Sequence, residues 1–221
     1  MIIMPTPEQV IKAKQDNVWD FGNKLLYDLC QNNFDHDQDE CILTKVLFIG
    51  RVYASAVERR RNKNNEINDN FYIDTIAPTF RESELDNQLK SLKDIRNFTI
   101  DNIEQILQAH FYLITTLKKI TNLEKRSFSS KYLHFHLPDL FFIYDSRAVT
   151  ALRSFTSRVP KDLKSILQLE TVDTEYAKFY CKCFDLKREI ANRYNIALTM
   201  RQFDNLLIEV ANKGSSLRNK K

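Results

Sequence analysis

Apolar residues recur nearly all round the segment 41–61: Ile42, Val46, Leu47, Ile49, Val52, Tyr53, Ala56 and Val57, interrupted by Lys45 and Arg51. A stretch that is apolar on every face predicts a helix buried in the core. Gly50 lies inside it at a cost of about 1 kcal/mol against alanine, which predicts close approach of another helix there. A second long pattern begins at Thr99, with Asp101 and Glu104 in its first turns and Lys118 and Lys119 in its last, the charge order a helix dipole favours. Between them Ile103, Ile106, Leu107, Phe111, Leu113, Ile114 and Leu117 keep a helical period. Thr6, Pro7 and Glu8 read as cap, first-turn proline and acidic first turn of a helix continuing to Cys30. Polar loops are predicted over 31–40 and 62–70, then a short helix ending near Pro78 and another over 82–93. Two more helices are predicted over 174–194 and 199–212, with Gly214 ending the last and a basic, mobile tail over 215–221. The pattern is all-α, with roughly eight to ten helices.

Composition agrees with that reading. The 221 residues include 43% hydrophobic positions with 15 Phe and 9 Tyr, enough for a real core, and only 3 Gly and 5 Pro, which favours long helices over many tight turns. The length suits a single all-α unit over 1–221 or two helical lobes with a cleft near 123–153. A net charge of +4 permits a polyanionic partner without requiring one. The run Glu58-Arg59-Arg60-Arg61-Asn62-Lys63 has two readings of equal weight: charge favoured at a helix C-terminus, or phosphate contact. The N-terminal MIIMPTPEQ has no signal-peptide pattern and no apolar run approaches the length of a membrane span, so a soluble, cytoplasmic monomer is expected.

No metal or other cofactor is expected. Cys30, His36 and Cys41 flank an acidic loop without an evident fourth ligand, and Cys181 and Cys183 point to different helix faces, so all four cysteines read as structural thiols. His134 and His136 are two residues apart, whereas a metal pair on a helix needs a spacing of four. Each reads as a core histidine or as part of a substrate pocket.

The segment richest in candidate chemistry is 126–149, RSFSSKYLHFHLPDLFFIYDSRAV. A small-residue turn, Ser127-Phe128-Ser129-Ser130, leads into Lys131, and small residues before a helix leave free N–H groups that can hold a phosphate. After Pro138 the apolar run Phe141-Phe142-Ile143-Tyr144 ends at Asp145, a residue type suited to capping the next helix. Ser-Phe-Ser-Ser-Lys resembles the hairpin of the helix-hairpin-helix DNA glycosylases, with Ser127 and Ser129 at the family's two glycine positions, Phe128 at the hydrophobic one and Lys131 at the lysine of the strand-cleaving members. Ile143-Tyr144-Asp145-Ser146-Arg147-Ala148-Val149 resembles the family's downstream element, with Asp145 at the catalytic aspartate. The resemblance covers 123–153 and contains no cysteine cluster for an iron–sulfur centre.

The resemblance implies a two-lobed helical bundle that flips a modified base out of double-stranded DNA and cuts its N-glycosidic bond, with strand-cleaving lyase activity as an option. Lys131 is then expected to attack the sugar C1′ and Asp145 to stabilise the sugar cation. Ser127, Ser129 and Ser130 are expected to meet phosphate, with Lys125, Arg126 and Arg147 along the DNA backbone. Tyr132, His134, His136 and Tyr144 are the candidates for the base pocket. Base-excision repair and antiphage defence both accommodate such an activity. Two other readings stay open: a helical DNA-binding or antiphage module without chemistry, and a helical protein-interaction domain.

Overall fold

The computed structural model describes residues 4–61, 67–95, 98–156 and 158–218, with side chains described through residue 213. Among these residues the chain is all-α, with eleven α-helices and no strand. No helix in the described part is long and apolar enough to cross a membrane. Two compact units are formed, one by Val18–Phe141 and the other by Met1–Asn17 with Phe142–Lys221.

In the second of these units α1 (Pro7–Ala13) packs on α11 (Met200–Arg218), which also packs on α9 (Ser146–Phe155), while α10 (Thr174–Tyr194) adjoins α9. Thr6 caps α1 through a full capping box with Gln9. The helix expected to reach Cys30 instead breaks at 14–17, a polar stretch with no apolar side to bury, and resumes as α2 (Val18–Asn32) in the other unit. Asn195 ends α10 in the left-handed region at φ 53°, a conformation asparagine tolerates. The last helix does not stop at Gly214 as expected; α11 continues to Arg218, and 219–221 lie outside the described residues.

The unit of α2 to α8 is built round α8 (Arg126–His136), on which α2, α3 (Asp39–Val52) and α7 (Ile103–Thr121) pack. Every residue of α8 from Phe128 to His136 is buried. The most buried helix is therefore α8 and not the segment 41–61. In α3, Ile42, Val46 and Ile49 are fully buried, but Leu47 and Val52 face outward at 36% and 44% exposure. Nor does α3 reach Arg61; it ends at Val52 in a reversal that glycine usually makes. Ala54 takes the left-handed conformation at φ 51° and the Ser55 N–H donates to Gly50 O at 3.1 Å, the six-to-one bond of a Schellman cap. With alanine at the stop position, the sequence carries no visible end signal. The close approach at Gly50 comes from this returning loop rather than from another helix: a Cβ there would lie 3.2 Å from Ala56 Cα.

The short helix expected to end near Pro78 continues through it. α4 (Asn68–Asn70) runs into a π-helical turn, Phe71–Ile76, and then α5 (Ala77–Arg81). Within that turn the Ala77 N–H bonds Tyr72 O, five residues back, a register shift at the point where proline supplies no N–H of its own. α6 (Leu85–Lys93) and the 3-10 turn Ile100–Asn102 that opens α7 fall where the pattern placed them, and Asn122 ends α7 at φ 57°.

Candidate functional site

The segment 127–130 is not a turn. It forms the first turn of α8, and Ser129 N–H already donates to Lys125 O at 2.8 Å. Small residues serve here to let the buried helix pack closely. Ser129 and Ser130 are fully buried; the Ser129 hydroxyl has no hydrogen-bond partner among the described residues, and that of Ser130 donates to Ser127 O at 3.2 Å. Neither presents a hydroxyl to a surface phosphate.

Ser127 and Lys131 stand one turn apart on the same side of α8. Lys131 Nζ donates to Ser127 Oγ at 2.7 Å and to Ser55 Oγ at 3.0 Å, and the two hydroxyls lie 3.1 Å from each other. An amine and two hydroxyls thus close a triangle, contributed by α8 and by the loop that leaves α3. Lys131 is 4% exposed, while both serines are half-buried. Ser55 had no signal in the sequence, because its placement depends on the cap at Ala54.

Three of the four residues expected to line a base pocket are core groups. Tyr132 O–H donates to His36 Nε2 at 2.6 Å, and His36 Nδ1–H donates to the Asp86 carboxylate, which also accepts the His36 backbone N–H at 3.1 Å. His136 Nδ1–H donates to Tyr132 O at 2.7 Å, and its Nε2 accepts from Lys45 Nζ at 3.3 Å. His134 Nδ1–H donates to Phe141 O at 2.8 Å and its Nε2 accepts from Tyr27 O–H at 2.6 Å. In each ring the partner of Nδ1 can only accept, which fixes the proton on Nδ1 and leaves Nε2 an acceptor. Lys45, fully buried, also donates to Asn33 O at 2.8 Å. Burial pulls the titration of His36 down and that of His136 well down, so both rings are held neutral. With their polar atoms engaged and their surfaces covered, Tyr132, His134 and His136 are not available to stack on a base.

Tyr144, the fourth candidate, is half-buried and lines a cavity of about 110 Å³ in the unit of α1 and α9 to α11, together with Leu152, Arg153, Lys178, Phe179 and Lys182. Asp145 caps α9: its Oδ1 accepts the Ala148 N–H at 2.8 Å. Lys131 and Asp145 belong to different compact units.

The expected phosphate-binding cations differ in availability. Arg126 pairs with Glu124 at 2.6 Å, and Lys125 Nζ donates to Arg59 O at 2.6 Å, with burial pulling its amine below the usual lysine range against the attraction of Glu58. In the basic run Arg61 is buried over the Phe71 ring at 3.8 Å, Arg59 and Arg60 are exposed, and Asn62 and Lys63 lie outside the described residues. This run follows a loop rather than closing a helix, which removes the dipole explanation for it. Arg147 is exposed in the first turn of α9, where the helix dipole opposes a cation by about 0.3–1 kcal/mol. Helix stability therefore does not account for Arg147. Comparison of the chain with protein-family models, curated proteins and solved structures gives no match.

Proposed function

We propose that the chain is a DNA glycosylase with lyase chemistry, a divergent helix-hairpin-helix relative in which Lys131 is the nucleophile. The supporting observation is the hydroxyl cradle of Lys131. A hydroxyl accepts from an ammonium and donates to an amine, so Ser55 and Ser127 serve both protonation states through which a nucleophilic lysine passes. Phosphate contact falls to Arg147, whose position the helix dipole disfavours.

The chemistry closes without a cofactor. The target nucleotide leaves the stack at a cost of a few kcal/mol. The Nζ lone pair attacks C1′ as the bond from C1′ to the base breaks; the electron pair leaves on the base, which takes up a proton. Nζ loses a proton, the C1′–O4′ bond opens with a proton going to O4′, and an iminium joins Nζ to C1′. The resemblance alone assigns Asp145 the stabilisation of cationic character at the sugar. An oxidised purine and a bulky modified pyrimidine of phage DNA both suit a divergent pocket, the first serving repair and the second defence.

A duplex with one abasic site tests the amine without knowledge of the base. The full chain, incubated with it and borohydride, is expected to give a covalent protein–DNA adduct, because hydride reduces the iminium to a stable amine. Lys131→Ala is expected to give none. No adduct from the parent chain overturns the reading. A DNA-binding module without chemistry is the second reading, favoured by the 4% exposure of Lys131, and it predicts salt-sensitive binding with no adduct.

The two readings share one expectation. Arg147→Glu should raise α9 stability by up to about 1 kcal/mol, since an acid replaces a cation in the first turn. The same change should weaken duplex binding, and Arg147→Ala should lower the salt slope of log K by about 1. Binding unchanged by both substitutions would place the DNA surface elsewhere.

A further inference from the structure

The lysine and one of its serines share a helix, but Ser55 arrives from a separate element, and the loop that delivers it is held in place in three ways. Ala54, immediately before it, holds a left-handed backbone at φ 51°. The Ser55 N–H is tied back to Gly50 O at 3.1 Å. Gly50 leaves room for the backbone of Ala56, which a Cβ would crowd at 3.2 Å. The capped reversal fixes the backbone from which the Ser55 hydroxyl meets the buried amine.

We propose that Ser55 is a positioning residue for the Lys131 amine, acting as one unit with Ser127; the inference rests on the lysine-nucleophile reading. Ser127, four residues from Lys131 on the same helix, can follow the lysine through its rotamers. A partner on the same helix places little constraint on a flexible four-carbon stem. Ser55, anchored on the capped end of α3, supplies a second acceptor at 3.0 Å that is independent of α8, and its 3.1 Å contact with Ser127 fixes both hydroxyls. Nζ is thereby held at one vertex of a triangle whose other two vertices cannot move separately. Loss of either hydroxyl releases the other, so the two substitutions should not add.

The test uses the full chain and the abasic duplex with borohydride. Ser55→Ala and Ser127→Ala should each slow adduct formation at saturating DNA by about 10- to 100-fold with half-saturation unchanged, the scale of a misplaced nucleophile. The double variant should be little slower than either single one, and Ser55→Thr, which keeps the hydroxyl, should recover most of the rate. A second readout needs no DNA: reductive methylation with formaldehyde and a borane, mapped by mass spectrometry, with exposed Lys24 as internal reference. The charge-assisted bond that Ser55 accepts from the ammonium is stronger than the one it makes to the amine, so its loss favours the free amine, and Lys131 should label about tenfold faster at neutral pH in Ser55→Ala. A slower adduct together with faster labelling marks positioning, because general unfolding would speed labelling at many lysines and Ser55→Thr would not reverse it. Adduct formation at the parent rate in Ser55→Ala, or fully multiplicative losses in the double variant, overturns the proposal. If the parent forms no adduct, the glycosylase reading fails and labelling alone decides on Ser55: an unchanged Lys131 profile in Ser55→Ala overturns its link to the amine, and a faster one restored by Ser55→Thr supports it.

Discussion

Asp145→Asn is expected to leave the melting temperature of the protein nearly unchanged while base release from a modified duplex falls by about 10²–10³-fold. The two halves of this expectation come from different properties of one side chain. As a cap, Asp145 needs only an oxygen that accepts the Ala148 N–H at 2.8 Å, and asparagine supplies one about as well. As the group assigned to stabilise a sugar cation, it needs a full negative charge, which asparagine lacks. In that proposed role the interaction is stronger in the transition state than in the bound substrate, so the loss should appear in the rate at saturating DNA and not in binding. Asp145→Ala is the contrasting variant: it removes cap and charge together and should also cost about 1 kcal/mol of stability. Full base release in Asp145→Asn would reduce the residue to its cap. Lys131→Ala would then remain the decisive variant for the chemistry.

The helices carried by periodic apolar positions and good caps were legible in the sequence: α7 with its charge order, α10 to the residue, α6 within a few positions. What escaped was set by interactions that a local pattern does not contain. The end of α3 hides behind alanine in a left-handed position, and the continuation through Pro78 depends on a π-helical shift in hydrogen-bond register. α8 was misread because its small residues look like turn formers, whereas burial on all sides requires small residues for close packing. The hydroxyl triangle was legible only in part. Lys131 and Ser127 stand out by type and context, but Ser55 is 76 positions from its lysine, and a sequence without that pairing offers no reason to select it. Tyr132, His134 and His136 drew attention as polar groups in an apolar run; their partners, His36, Asp86, Lys45 and Tyr27, come from elements far along the chain and turn them into core.

Lowering the pH from 7.5 to 5.5 should destabilise the protein by up to about 1.4 kcal/mol per pH unit for each of His36 and His136 once below pH 6.5 or so. Burial, the largest influence on both rings, holds their folded-state titration below the ordinary histidine value, with Lys45 adding to the shift; in His36 the hydrogen bond donated to Asp86 opposes it. The unfolded chain therefore takes up protons first as pH falls. Stability from this source is complete above the unfolded value, about 6.5, and declines below it until the folded rings themselves protonate. Protonation inside the fold is resisted by geometry as well as by burial. Each Nε2 already accepts, from Tyr132 O–H in one ring and from Lys45 Nζ in the other, and a proton there would set donor against donor. Asp86 behaves in the opposite way. Burial raises its titration, but the hydrogen bonds from the His36 side chain and backbone, with the attraction of His36 and Lys90, bring the net value down. Its contribution is present above the unfolded carboxyl value, about 3.9, and is lost only as pH falls below that. Urea unfolding followed at half-unit steps should therefore show a loss beginning near pH 6.5 and a separate one below pH 4, with unchanged m-values in the first window if the two-state approximation holds. Replacing Lys45 by methionine, of similar length and uncharged, should shrink the loss at His136, because it removes both the repulsive charge and the donor that blocks Nε2. Stability that stays flat between pH 7.5 and 5.5 would mean that the histidines titrate in the core as freely as in the unfolded chain, and would contradict the neutral network that holds α8 in place.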